Sequence, residues 1–248
     1  VDEYATIDDK SRRIAQRSFL DLHAKGHVYQ LESPTMWDVD FQTAVAQAEV
    51  EDREKNGAYH DNEFGVFDDG VATESFVVST TRPELLAACV GVTAHPDDER
   101  YKSLFGKYAV TPGFFSKIPI FPSVEADPDK GTGILMVCTF GDQTDVMWWR
   151  EQELELRQIM ARNGRISERL FGGANGWFSL NPDLANINYQ KIVGKRAPSA
   201  KSIVVDLMRD PENSAVGKGA PLQREPEQIQ HPVRYYEKGD SPLEYLTT

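Results

Sequence analysis

Apolar positions recur along this chain with two different periods, and the change from one to the other divides it. Ile14, Ala15, Ser18, Phe19 and Leu22 share one face at helical spacing. Residues 8–25 are therefore predicted as a helix, begun by Asp8 or Asp9 and ended at Gly26. Residues 27–31 read as a short strand, and residues 43–51 as a further alternating stretch that pairs with another strand. The charged, glycine-containing residues 52–62 mark a boundary.

Strand signals dominate the middle. Residues 75–80 (SFVVST) are β-branched and apolar, and Pro83 ends the run by biasing Arg82 away from helix. Residues 85–93 are apolar, His95-Pro96-Asp97-Asp98 is a turn, and residues 101–104 lead on to Gly106. Residues 117–121 and 134–139 are further strands, the second entered through Gly131-Thr132-Gly133. A helix is predicted from Thr144 or Asp145 to Arg162, with Val146, Trp149, Leu154 and Leu156 as its apolar surface and Asn163-Gly164 as its stop. Residues 191–194 and 203–208 read as minor elements, and residues 231–248 as a hairpin about Gly239-Asp240. Strands interleaved with helices, without regular βαβ spacing, predict an α+β fold: a mixed β-barrel or sheet with peripheral helices.

Composition narrows the function class. The 248 residues carry a formal net charge of −12, which counts against a protein that grips many phosphates by itself. Any nucleic-acid contact is expected to be local. No apolar run approaches the roughly 18–20 residues of a membrane span, and the acidic, polar first ten residues are no signal peptide. The two cysteines, Cys89 and Cys138, form no CxxC pattern; they fit a reducing compartment and offer no zinc site.

Three clusters carry chemistry. Thr80-Thr81-Arg82-Pro83-Glu84 puts hydroxyls and a guanidinium at a strand end. Gly131-Thr132-Gly133 allows close backbone approach, because glycine lacks a Cβ. Asp142 and Asp145, three apart at a helix start, reach one small volume. Together they suit a small ligand with a cationic end. Each has a plainer reading: Asp142 and Asp145 as helix caps, the glycines as an ordinary turn, the threonines as β-formers, and Arg82 as one half of a surface ion pair.

In their order, TTRPE (80–84), HPDDERY (95–101), Gly131-Thr132-Gly133 and Asp142-x-x-Asp145 resemble the editing domain of class I valyl-tRNA synthetases. TTRPE sets the chain apart from the isoleucine enzymes, and HPDDERY from the leucine enzymes. The flanks resemble the ribbons that join that domain to the synthetic domain, and the match is weakest over residues 172–223. The resemblance implies residues 1–57 as a ribbon and helical connection, 58–222 as the editing domain and 223–248 as the returning ribbon. The HIGH and KMSKS-type signatures are absent, so the chain reads as an excised insertion. ATP and Mg would belong to the parent enzyme's synthetic site, with no cofactor or metal in this piece and a cytoplasmic location.

The implied activity is hydrolysis of threonine wrongly attached to the valine tRNA. An apolar pocket rejects a near-isosteric hydroxyl analogue poorly, a limit for which the valine enzymes are themselves the standard example. The partners implied are the valine tRNA 3′ end carrying threonine and the remainder of the synthetase chain, with no membrane. By resemblance Asp145 pairs with the threonyl α-ammonium, and Asp142 assists with the hydroxyl or with positioning. Thr80, Thr81 and Arg82 shape the pocket and reach the terminal adenosine or the ester, and Glu84 is a further substrate-binding residue. Gly131, Thr132 and Gly133 lie close to the ligand, and Cys138 aligns with a pocket position. Departures are Leu85-Leu86 where relatives often have Thr-Met, and Met136 at a lysine position, a pattern like an archaeal branch. Two alternatives stay open: docking of the 3′ end without hydrolysis, and a purely structural insertion.

Overall fold

The computed structural model describes residues 5–29, 33–68, 70–173 and 176–247. The chain divides into two compact units, Val1–Ser33 and Pro34–Thr248. The first is built on helix α1 (Asp9–Ala24). The Asp8 side chain accepts the Ser11 N–H at its start, and Gly26 takes φ +76° just past its end. This is the predicted helix, with the predicted cap and stop. Residues 27–29 carry no regular structure; the rest of the strand expected at 27–31 lies outside the described residues.

The second unit holds strands β1 (Pro34–Asp38), β2 (Thr43–Ala44), β3 (Val50–Asp68), β4 (Val71–Thr80), β5 (Cys89–Ala94), β6 (Tyr108–Val110), β7 (Lys117–Pro122) and β8 (Ile134–Cys138). Helices α2 (Gln143–Glu151), α3 (Pro182–Ile192) and α4 (Ala197–Met208) follow, then strands β9 (Glu227–Tyr236) and β10 (Glu244–Thr247). A small antiparallel sheet runs β10-β1-β2. The larger sheet runs β4-β3-β6-β7-β5-β8, with β9 added to β3. Only the β5–β7 pair is parallel among the ladders of the larger sheet. The class is α+β, and the expected barrel is a curled half-barrel. Its end strands meet through side chains and a turn: the Thr132 hydroxyl accepts the Ser79 N–H at 3.3 Å, and no ladder joins β4 to β8 among the described residues.

Residues 52–62 are not a break in the structure. They lie inside β3, whose first half pairs with β9 (Val50↔Tyr236 to Tyr59↔Glu227) and whose second half pairs with β4 (His60↔Thr80 onward). Charged residues tolerate this strand because a two-stranded ribbon leaves its faces in water. The tail hairpin also differs from expectation. Among the described residues its arms share the Tyr235↔Pro242 bridge and a hydrogen bond from Arg234 Nη1 to the Tyr245 hydroxyl at 2.8 Å, while β9 pairs with β3 and β10 with β1.

The helix expected at 144–162 stops at Glu151, and Glu153 takes φ +49°. The chain is then drawn inward. Buried Arg157 donates its backbone N–H to the Thr139 hydroxyl and its Nη1 to the Cys89 carbonyl. Asn163-Gly164 turns the chain so that Met160 pairs with Ile166. Conversely, the minor elements read at 191–194 and 203–208 are the end of helix α3 and the second half of helix α4. Asn181 caps α3 ahead of Pro182, and Ala185, Asn188, Tyr189 and Ile192 are buried at helical spacing. Tyr189, Val204 and Met208 join Phe64, Val78, Leu86, Ile118 and Ile134 in one core.

Candidate functional site

Strand β4 ends in Thr80, and the chain turns at Arg82 into a buried 3-10 turn, Pro83–Ala88. Thr80 Oγ1 accepts the Arg82 N–H at 3.0 Å, closing the corner. Opposite it, β8 ends at Cys138 and α2 begins after Asp142. Between these ends lies a cavity of about 310 Å³, walled by Thr80, Thr81, Arg82, Cys138, Asp142 and Asp145 among others. Six of the ten residues singled out from sequence therefore share one cavity. Glu84, Gly131, Thr132 and Gly133 are not among those lining it.

The two aspartates differ. Asp142 is exposed, and its Oδ1 accepts the N–H groups of Thr144 at 2.8 Å and Asp145 at 3.0 Å, so it caps α2 as the plainer reading held. Asp145 is buried at 6% exposure, and its Oδ2 accepts the Gly141 N–H at 2.8 Å. Burial, and then the Asp142 carboxylate, push the Asp145 carboxyl well above the ordinary carboxylate range. A cation entering the cavity would remove that penalty.

Arg82 borders the cavity but turns its guanidinium into the protein. Nε donates to Glu84 Oε1 at 3.0 Å, Nη1 to the Gly141 carbonyl at 3.3 Å, and Nη2 to both oxygens of Glu244 at 3.0 and 2.8 Å. Burial works against its charge, and the Glu244 and Glu84 carboxylates outweigh burial and raise it further. The Thr81 carbonyl accepts Lys201 Nζ from α4 at 2.8 Å. Cys138 donates its thiol to the Leu85 carbonyl. Burial and then Cys89 push that thiol well up, which removes its thiolate character.

The glycine turn approaches protein. Gly131 (φ +60°) leaves no room for a Cβ, which would stand 2.8 Å from Ser79 Cβ. A Cβ on Gly133 (φ +80°) would collide with Arg100. The HPDDERY segment braces this turn: Asp98 holds Arg100, Arg100 Nη2 donates to the Pro128 carbonyl, and the Tyr101 hydroxyl donates to the Thr132 carbonyl at 2.6 Å. Two motifs read separately are thus one buttress under the β4–β8 edge.

Several walls were not foreseen. Tyr59 lies in the stretch read as a boundary, and Lys130 and Trp148 also line the cavity, beside Met136, which the sequence had marked as a departure. Tyr59 depends on the curl of β3. Among the described residues, no group of three or more His, Cys, Asp or Glu side chains is placed to hold a metal ion, and no helix is long and apolar enough to cross a membrane.

Comparison with known proteins bears on the family. The chain is 49% identical over 245 residues to valine–tRNA ligases of Thermobifida fusca and Salinispora tropica, and 44% identical to that of Leifsonia xyli. Each match takes in 99% of this chain and 26% of the relative, so the chain spans about a quarter of the length of these proteins. A leucyl-tRNA synthetase complex with tRNA from Agrobacterium radiobacter K84 superposes with a TM-score of 0.34 at 19% identity, over 77% of this chain and 32% of that one. The profile of class I tRNA synthetases for isoleucine, leucine, methionine and valine matches residues 1–217, and the chain belongs to that family.

Proposed function

We propose that this chain is the editing region of a valine–tRNA ligase, whose cavity hydrolyses threonine wrongly attached to the valine tRNA. The observation that carries the reading is Asp145, a buried carboxyl on the wall of a cavity of about 310 Å³. That volume lies within the range of small-ligand sites. The α-ammonium of an aminoacyl ester supplies the opposite charge that Asp145 lacks, so binding favours its ionised form and releases its proton. The threonine hydroxyl meets Asp142 or Thr80, whereas valine would leave such a partner unmet at a cost of about 1–3 kcal/mol.

Water is the nucleophile in this reading, because the Cys138 thiol is held protonated. The aspartates, the Gly141 backbone and the substrate's own ribose hydroxyl hold that water against the ester carbonyl, so catalysis is chiefly positioning. The body of the tRNA is left to the remainder of the synthetase, in keeping with a net charge of −12 here.

Asp145→Ala in the parent enzyme is expected to let threonyl-tRNA accumulate while valine charging survives. Unchanged proofreading in that variant would overturn the assignment. Leu85 and Met136, apolar on the cavity wall, favour one second reading: a pocket that docks the 3′ end without cleaving. Binding of a non-hydrolysable threonyl-adenosine analogue with no turnover of threonyl-tRNA would select it.

A further inference from the structure

The cavity's buried acid is tied to a strand about a hundred residues further along the chain. Glu244 opens β10 in the small sheet and is 6% exposed. Its carboxylate grips Arg82 Nη2 with both oxygens, at 3.0 and 2.8 Å. The same guanidinium donates from Nη1 to the Gly141 carbonyl at 3.3 Å, and the Gly141 N–H donates to Asp145 Oδ2 at 2.8 Å. A Cβ on Gly141 would stand 2.6 Å from Asp145 Oδ2 and 3.5 Å from Leu85 Cδ1, so a side chain there would push the Asp145 carboxyl aside. Carboxylate, guanidinium, glycine and aspartate thus form one hydrogen-bonded chain from the small sheet to the cavity wall.

We propose that Glu244 is a positioning residue for Asp145, acting through Arg82 and Gly141 to set where the Asp145 carboxyl stands in the cavity. The inference rests on the hydrolytic reading for its consequence and on the contacts alone for its geometry. Neutrality does not explain the arrangement. Glu84 and Glu244 balance Arg82 and Lys201, and other placements of the second carboxylate would balance them equally. Orientation does explain it. Glu84 holds the guanidinium through Oε1 only, and its buried Oε2 has no hydrogen-bond partner. Glu244 takes Nη2 with both oxygens, and with Nε on Glu84 this anchors the guanidinium at two nitrogens, which sets its plane. With that plane fixed, Nη1 points at the Gly141 carbonyl.

Two substitutions loosen the plane differently. Glu244→Gln keeps the shape and loses the paired oxygens; Arg82→Lys keeps the charge and loses the fork. Each is expected to lower kcat/KM for threonyl-tRNA deacylation about tenfold. The double variant should be no worse than the weaker single one, because both break one chain. The Gly141 amide, followed by NMR hydrogen exchange in the folded variants, should exchange at least about tenfold faster. The proposal is overturned if Glu244→Gln keeps wild-type kcat/KM and Gly141 protection while Asp145→Asn is inactive, or if the two losses multiply. Should Glu244→Gln fail to fold, Arg82→Lys carries the same two readouts, and normal values there also overturn it. A wild-type protein that deacylates nothing would sink the hydrolytic reading instead, and Gly141 exchange would still decide whether the chain of contacts exists.

Discussion

Burial raises the Asp145 carboxyl first and the Asp142 charge second, while the Gly141 N–H pulls the other way. A carboxyl raised in the folded state acts on stability with a definite sign. Below the unfolded value of about 3.9 both states are protonated and no penalty exists. As pH rises past that value, the unfolded chain ionises first, and stability falls until the folded carboxyl ionises too. Asp145→Asn removes this loss, since the amide oxygen can still accept the Gly141 N–H. The melting temperature of the variant minus that of the wild type should therefore grow as pH is raised from about 4 to about 8. A difference that stays flat across thermal melts in that window would contradict the raised carboxyl. From sequence, Asp142 and Asp145 looked alike. Only the fold separates an exposed cap from a buried acid.

At the scale of elements, the short turn between Lys130 and Ile134 does more than join two strands. Its Thr132 hydroxyl accepts the Ser79 N–H and donates to the Ile134 carbonyl, each at 3.3 Å. It thereby pins the end of β4 to the start of β8, the two strands whose ends border the cavity. Gly131 sits at φ +60° against Ser79, and an L-residue in that conformation costs about 1–2 kcal/mol before any contact. Gly131→Ala is expected to lower unfolding free energy by at least about that much in denaturant titrations; a neutral result would show that the turn can relax. β4 was legible because a β-branched run is cut by a proline. The overlong α2 was not, because Leu154 and Leu156 continue the helical spacing while Arg157 is pulled into the core by Thr139 and Cys89, contacts remote in sequence. Helix α3 was legible in principle, through Asn181-Pro182 and the spacing of Ala185, Tyr189 and Ile192, and α4 through the spacing of Ala200, Val204, Leu207 and Met208.

At the scale of the molecule, the tail is part of the core. Leu246 on β10 is fully buried and belongs to the same cluster as Phe64 and Ile134, while Thr247 donates its N–H and hydroxyl to Gln158 Oε1, each at 2.8 Å. Leu246→Ala should therefore cost about 2–5 kcal/mol, as truncation of a buried leucine does elsewhere. A loss well under 1 kcal/mol by denaturant unfolding would mark β10 as a detachable strip. The same strand carries Glu244, so the stability of the tail and the placement of Asp145 draw on neighbouring residues.

Local chemistry was enough to establish the α1 boundaries and the strands β4, β7 and β8, because caps, prolines and β-branched runs act over a few residues; the motifs held five of the cavity residues, and Cys138 came from the resemblance alone. The tertiary structure alone decided which of two similar acids is buried and that Arg82 faces Glu244. It also turned the glycine bend toward Ser79 and Arg100, and carried a charged stretch straight through as one long strand. Those outcomes depend on curling a sheet until its ends meet, and nothing within a window of ten residues encodes which distant side chain will then stand opposite.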